Sequence, residues 1–136
     1  MENKKKGIVT EIETMLAFMR LGYPVLIPYG DYERYDYAVD VNGKFIRIQS
    51  KTSHAINQGD SFMFDTRSCA PTRNEGRKHH IYTADEVDYF ATAYNGQCYL
   101  VPVGIYASSA KFRLSGKSRG GAWAKDYELE KIVKTW

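Results

Sequence analysis

The chain is poor in the residue types that build disulfide frameworks and zinc sites. It has two cysteines, Cys69 and Cys98, which lie far apart without a Cys-x-x-Cys spacing. Its three histidines do not have the spacing of metal ligands either. We therefore expect neither a disulfide-stapled scaffold nor a structural zinc site.

Long apolar runs are also missing. No run approaches the about 18 residues that a membrane-spanning helix needs, and the lysines near the start are not followed by the apolar core of a signal peptide. We expect a cytoplasmic protein. A chain of 136 residues with 43% hydrophobic and 26% charged residues is typical of one globular domain, here residues 1–136. Its net charge of +3 does not by itself argue for nucleic-acid binding.

Residues 7–21 have the periodicity of a helix that ends before Gly22. Five apolar side chains form the stripe that we expect to face the core: Ile8, Ile12, Met15, Leu16 and Met19. Glu11 projects within this arc. A carboxylate facing a core is costly unless it is paired or metal-bound. Glu11 therefore either lies at the rim, solvated or paired with a lysine, or serves as a ligand.

Residues 34–52 predict a β-hairpin. Asn42-Gly43 is the strongest short signal for a type I′ turn, because both central residues of that turn need positive φ. A two-residue loop fixes the register, which places Asp36 opposite Gln49. Side chains alternate along a strand, so two faces result: an apolar one with Tyr37, Val39, Ile46 and Ile48, and a polar one with Asp36, Arg47, Gln49 and Lys51.

The polar face of this hairpin has the composition of a phosphate-processing metal site. Asp36 and Gln49 offer oxygen ligands of the kind that Mg²⁺ prefers. Lys51 adds a fixed positive charge, which can stabilise the charge that develops on a phosphate under attack. The alternative is an ordinary solvated face of a half-exposed antiparallel sheet.

The remaining elements are predicted from shorter patterns. Prolines bound an edge strand, a central Asn95-Gly96-Gln97 turn joins a second hairpin, and periodic apolar residues mark a last helix. The predicted strands are residues 23–28, 61–65, 87–94 and 98–103, the helix is residues 126–135, and residues 54–60 form a polar loop.

Two segments concentrate positive charge. Residues 67–80 are predicted to be an irregular loop, and residues 111–125 a flexible glycine-containing one. Both are candidates for contacts to phosphates, although ordinary solvated surface has the same composition. Their basic residues include Arg67, Arg73, Arg77 and Lys78 in the first segment and Lys111, Arg113, Lys117 and Arg119 in the second.

The order of these motifs resembles the PD-(D/E)XK nuclease superfamily. The resemblance consists of Gly7-x-x-x-Glu11 in a helix, then Gly22-Tyr23, then Asp36 entering a strand, then Gln49-Ser-Lys51 ending the next strand. More narrowly, the chain resembles the subgroup that contains the cyanobacterial intron-encoded homing endonuclease, and the likeness extends to archaeal Holliday junction resolvases.

This resemblance implies a restriction-endonuclease-like α/β fold with a central mixed sheet flanked by helices. It also implies Mg²⁺-dependent hydrolysis of phosphodiester bonds in double-stranded DNA, with Mn²⁺ as a possible substitute. The active form implied by the resemblance is a homo-dimer or tetramer. The implied catalytic residues are Glu11, Asp36, Gln49 and Lys51, and the first three would be the metal ligands. The basic residues named above in segments 67–80 and 111–125 would then be the DNA-binding residues, through contacts to DNA phosphates.

The chain departs from the family pattern at two positions. Tyr35 replaces the motif proline, and Gln49 replaces an acid, which removes one negative charge from the metal site. Three functions stay open on this basis: a homing endonuclease, a junction resolvase, or a catalytically inactive DNA-binding module.

Overall fold

The structure, a computed structural model, describes residues 1–30, 32–72, 76–116 and 120–136, and within residues 69–79 it describes the backbone only. The helices and strands of this part of the chain are α1 Asn3–Arg20, β1 Val25–Leu26, β2 Tyr37–Val41, β3 Lys44–Ser50, β4 His54–Ile56, β5 Ser61–Asp65, β6 Arg67–Thr72, β7 Gly76–Ile81, β8 Tyr89–Tyr94, β9 Gln97–Pro102, β10 Ser109–Arg113, β11 Ala122–Trp123 and α2 Leu129–Val133.

The central sheet has the strand order β1-β2-β3-β8-β9. It is mixed, as expected, because β3 pairs with β8 in parallel while the other neighbours are antiparallel. Arg47 and Asp88 join the two hairpins at the start of the parallel pair: Nε lies 3.1 Å from Oδ2 and Nη2 lies 3.2 Å from Oδ1. The Arg47 N–H also donates to Asp88 Oδ2 at 2.7 Å.

The hairpin turns confirm the sequence prediction. Asn42 and Gly43 have φ of 54° and 89°, as a type I′ turn requires. The resulting register pairs Tyr37 with Ile48, as predicted. The predicted pairing of Asp36 with Gln49 is wrong. The regular ladder ends at Tyr37, and the Asp36 N–H donates to the carbonyl of Ile48 at 2.8 Å.

Different layers cover the two faces of the central sheet. On one face, α1 and α2 enclose a core that includes Phe18, Tyr37, Ile48 and Leu129. On the other face lies a second sheet of order β11-β10-β5-β4, whose phenylalanines pack against the central strands. Both α-helices of the described chain therefore lie on the same side of the mixed sheet, and an aromatic core fills the space between the two sheets.

The expected core face of α1 is wrong. The helix buries Thr10, Thr14 and Phe18, whereas Ile8 and Ile12 are 60% and 54% exposed. Thr14 explains this orientation, because its hydroxyl accepts a hydrogen bond from the buried Tyr37 hydroxyl at 2.8 Å and donates to the Glu11 carbonyl. The largest apolar stripe of α1 thus lies on its outer surface.

The predicted irregular loop over residues 67–80 is also wrong. Strands β6 and β7 form a two-stranded antiparallel ribbon with Cys69 opposite His79 and Pro71 opposite Arg77. This ribbon belongs to neither larger sheet, so its strands do not need the apolar alternation that marks a half-buried strand. Residues 54–60 likewise contain β4, paired with β5, before a 3₁₀ turn at Asn57–Gly59.

The segment 111–125 is more ordered than predicted, because it contains parts of β10 and all of β11. These strands pair in parallel, with Phe112 opposite Ala122. A Cβ atom on Gly121 would lie 2.7 Å from the Lys111 carbonyl oxygen, and its φ is +82°, so only glycine fits this crossing. The last predicted helix divides into a 3₁₀ turn, Ala124–Tyr127, and the short α2.

The orientation of α1 predicts that substitutions on its buried face cost much more stability than substitutions on its exposed face. Phe18→Ala removes a fully buried ring and should lower the free energy of unfolding by about 3–5 kcal/mol. Ile12→Ala removes a side chain that is 54% exposed and should cost less than about 1 kcal/mol. Urea denaturation at low protein concentration measures both values, and a larger loss for Ile12→Ala would contradict this orientation.

Candidate active site

Three of the four catalytic candidates come together at one edge of the central sheet. Asp36 precedes β2 and Lys51 follows β3. Glu11 lies on α1, the long helix that covers one face of the sheet. Hairpin pairing brings the first two residues together, and α1 brings the third. Two chain-distant carboxyl groups and one ammonium group thus interact at a single edge.

Asp36 is fastened to β3 by both its backbone and its side chain. Its Oδ2 accepts a hydrogen bond from the Ser50 N–H at 2.8 Å, while its own N–H donates to Ile48. Burial raises the pKa of the Asp36 carboxyl, although the Ser50 N–H and the Lys51 charge act against this rise. The orientation of the carboxylate is therefore set before any ligand binds.

Among the described residues, the charged neighbour of Glu11 is Asp36 rather than a lysine at the rim. Burial raises the pKa of the Glu11 carboxyl, and the nearby Asp36 charge raises it further. Both carboxyl groups border a cleft of about 440 Å³, which Glu33 and Tyr35 also line. The sequence analysis did not identify Glu33, since no periodic pattern connects it to the hairpin.

Lys51 is held mainly through its ammonium group. Nζ donates to the backbone carbonyl of Arg67 at 2.7 Å, which links the lysine to the start of the β6–β7 ribbon. Burial lowers the pKa of Lys51, with Asp65 and Asp36 acting in the opposite direction and Arg34 adding to the decrease. The ammonium is thus a partly desolvated charge next to carboxylates.

Gln49 lies on β3 opposite Phe90 of β8 and is half-buried. Strand alternation places it on the same face as Lys51. Within the described residues no group of three or more Asp, Glu, His or Cys side chains could hold a metal. The carboxylates of Glu11 and Asp36 nevertheless offer oxygen donors of the kind that a hard cation such as Mg²⁺ prefers.

Two residues that the sequence analysis did not select surround the lysine. Nζ of Lys51 lies 5.0 Å from the centroid of the Tyr82 ring, and Cζ of Arg34 lies 5.1 Å from the same centroid. The alternation that placed Asp36 could also have indicated Arg34, two residues earlier. The sequence contains no comparable signal for Tyr82, because the ribbon fold brings it to the site.

The DNA-binding candidates lie on two elements. Arg67, Arg77 and Lys78 belong to the ribbon, and the Arg67 guanidinium pairs with Asp65 at 3.2 Å. Arg73, Lys117 and Arg119 lie outside the described residues. The second element is β10, which carries Lys111 and Arg113.

On β10, the Arg113 guanidinium stacks 4.1 Å from the centroid of the Trp123 ring. The ammonium of Lys125 lies 5.4 Å from the same centroid. Basic and aromatic groups therefore share one surface of the second sheet, a combination that also occurs where proteins bind nucleic-acid strands.

A protein-family model described as PD-(D/E)XK endonuclease matches residues 1–130. The chain belongs to this family. Its substrate as a PD-(D/E)XK endonuclease is DNA, and in the part of the chain described here no helix is long and apolar enough to cross a membrane.

The solved structure of a bacterial homing endonuclease, I-Ssp6803I, shares the fold of this PD-(D/E)XK chain. The likeness has a TM-score of 0.82 at 21% identity and covers 98% of this chain and 93% of that one. None of the curated protein sequences matches the chain. The restriction-endonuclease-like fold expected from the sequence is thus confirmed.

The raised pKa of Asp36 predicts that Asp36→Asn stabilises the metal-free protein near neutral pH. A carboxyl whose pKa is raised by folding binds its proton more tightly in the folded state, so its contribution to stability falls as pH rises above the ordinary value of 3.8. The asparagine oxygen still accepts the Ser50 hydrogen bond. In EDTA, the melting temperature of Asp36→Asn should exceed that of the parent protein at pH 7. The difference should shrink below pH 4.

Asp88→Asn is the matched control with the opposite sign. Burial disfavours the charge of Asp88, but hydrogen bonds from Arg47 outweigh this effect and lower the pKa. The Asp88 variant should lose stability at neutral pH, and the loss should diminish as pH falls through the folded-state pKa. A loss of stability for Asp36→Asn at pH 7 would contradict the assigned environment of that carboxyl.

Proposed function

We propose that the protein is a Mg²⁺-dependent endonuclease that cuts double-stranded DNA at a specific site, as a homing endonuclease does. The observation that carries this proposal is the convergence of Glu11, Asp36 and Lys51. Two carboxyl groups with raised pKa values lie beside an ammonium group with a lowered one. Such opposing perturbations in a cleft are typical of catalytic sites.

Asp36, Glu11 and Gln49 would hold the Mg²⁺ ion, which supplies a polarised water and neutralises phosphate charge when bound. Mn²⁺ should substitute because it accepts the same oxygen ligands. The amide of Gln49 contributes an oxygen without a negative charge. Metal affinity should therefore be lower than in a site with three carboxylates.

Lys51 would stabilise the negative charge that develops on the phosphate during attack. Its ammonium is half-buried and anchored to the Arg67 carbonyl, so little reorganisation is needed when the charge appears. In the part of the chain that the structure describes, Nζ makes this one hydrogen bond. An ammonium has three donors, which leaves two for substrate oxygens.

The β6–β7 ribbon supports recognition of duplex DNA. The major groove admits a two-stranded β-ribbon, and this ribbon carries Arg67, Arg77 and Lys78 in its sequence. It begins at the residue that anchors Lys51. A ribbon in the groove would therefore bring Lys51 and the neighbouring carboxylates to the DNA backbone. Lys111 and Arg113 on β10 would contact further DNA phosphates.

Cleavage of a plasmid library that carries random and genomic inserts, with Mg²⁺ or with EDTA, tests this function. Sequencing of the product ends should identify one long recognition site that is cut only with the metal. Preferential cutting of synthetic four-way junctions would indicate a resolvase instead. DNA binding without cleavage under any divalent metal would indicate an inactive module.

Lys51→Ala should reduce the cleavage rate by about 10²–10³-fold or more, because one preorganised electrostatic donor is lost. DNA affinity measured with Ca²⁺ should change little. Lys44→Ala is the matched control, since Lys44 begins the same strand beside the turn and is exposed. Cleavage by Lys51→Ala at the rate of Lys44→Ala would remove Lys51 from the catalytic residues.

We also propose that the protein acts as a homo-oligomer, because two copies of the active site could each cut one strand of a duplex. The outer face of α1 supports a contact with a second copy. Ile8, Ile12 and Met19 are each more than half exposed there, and a helix stripe can pair with itself about a two-fold axis. Large apolar patches of this kind on a protein surface mark interaction sites.

Ile12→Glu should convert the oligomer into monomers, since a charge in an apolar interface has no partner. Sedimentation velocity measures the change. Ile105→Glu serves as control, because Ile105 is 56% exposed, close to the 54% of Ile12, but lies in the connection after β9 rather than on α1. A parent protein that sediments as a monomer, or an Ile12→Glu variant that remains assembled, would contradict the role of α1.

A further inference from the structure

A second cation lies beside the catalytic lysine. The guanidinium of Arg34 and the ammonium of Lys51 both lie about 5 Å from the centroid of one ring, that of Tyr82. Two like charges at such positions repel each other, and Arg34 indeed contributes to the lowered pKa of Lys51. Their approach therefore needs groups that hold both of them in place.

Two side chains, Ser68 and Glu86, hold Arg34 in place. Its Nη2 donates to Ser68 Oγ at 3.2 Å, and its Nε lies 3.3 Å from Glu86 Oε2. Glu86 is fixed in turn by Thr83 and His80, each at distances of 3.2–3.3 Å from Oε1. The negative charge of Glu86 in this network offsets part of the repulsion between the two cations.

The Tyr82 ring is rigidly supported. It is only 7% exposed and packs edge-on against Phe90, with 5.6 Å between the ring centroids and 83° between the planes. His80 makes a second edge contact at 5.8 Å. An aromatic face attracts ammonium and guanidinium groups, most strongly where water is excluded. The ring can therefore fix the position of a flexible lysine side chain.

We propose that Tyr82 is a positioning residue whose ring holds Lys51 and Arg34 together, so that both cations meet the same phosphate of the DNA. The inference rests on the nuclease function proposed above. In this arrangement Lys51 stabilises the charge at the reacting phosphate, and Arg34 offers donors to another oxygen of the same group. The attraction comes from the ring, while the Tyr82 hydroxyl makes a hydrogen bond with Ser68, which also accepts from Arg34.

Cleavage kinetics on a supercoiled plasmid with Mg²⁺ test the role of the ring. Tyr82→Leu should lower kcat by about 10-fold and change KM by less than about 2-fold, because positioning of the lysine affects the transition state more than binding. Tyr82→Phe keeps the ring and should retain kcat within about 3-fold. Tyr99→Leu is the matched control, because Tyr99 belongs to the same buried aromatic core.

Arg34→Gln tests the second cation. It should also lower kcat, and the double variant with Tyr82→Leu should lose less than the product of the two single losses, because both changes disturb one arrangement. Arg34→Lys keeps the charge and should recover part of the activity. Independent, multiplicative losses would show that the ring does not couple the two cations.

Proton NMR gives a measurement that does not depend on activity. The ε-methylene protons of Lys51 should be shifted upfield by the ring current of Tyr82, and Lys51→Arg assigns the signal. Tyr82→Phe should preserve the shift and Tyr82→Leu should abolish it. A Lys51 signal at the position of an exposed lysine in the parent protein would overturn the proposal.

The experiments distinguish a failure of the nuclease function from a failure of the role proposed for Tyr82. A parent protein that cuts no DNA under any divalent metal overturns the nuclease function and this inference with it. A parent protein that cuts, together with a Tyr82→Leu variant of equal kcat, overturns the inference alone. Equal losses of kcat in Tyr82→Leu and Tyr99→Leu would likewise assign Tyr82 to core stability only.

Discussion

The pairing of Arg47 with Asp88 is the interaction on which the site depends. Each of the two hairpins of the central sheet is a local structure, but their parallel contact through β3 and β8 joins residues more than 40 positions apart. Arg47 makes a two-fold contact with the Asp88 carboxylate and donates to the backbone carbonyls of Ala84 and Asp85. The pair therefore fixes β3, and with it Gln49 and Lys51, against the second hairpin.

Local constraints explain which features the sequence predicted. Asn42-Gly43 and Asn95-Gly96 need positive φ whatever surrounds them, so both hairpins and the closeness of Asp36 and Lys51 followed from short patterns. The buried face of α1 could not be predicted from such a short pattern. It depends on the hydroxyl of Tyr37, which selects Thr14 over a larger apolar residue. The β6–β7 ribbon was missed because its strands lack an apolar face.

The electrostatics of the site are maintained at a cost to stability. Burial disfavours the charged forms of Glu11, Asp36 and Lys51 alike, and the pKa of each is displaced in the direction that burial imposes. A core of aliphatic residues would not carry this cost. The aromatic layer between the two sheets, with Phe62, Phe64 and Phe112 fully buried, supplies the compensating apolar burial.

The anchor of the lysine is a main-chain atom, the carbonyl oxygen of Arg67. A substitution at position 67 changes the side chain at the start of the ribbon but leaves this acceptor in place. The position of the ammonium group is therefore independent of the side chains that the ribbon carries. Substitutions in those side chains can accumulate in a lineage of this chain without removing the acceptor that holds the ammonium group.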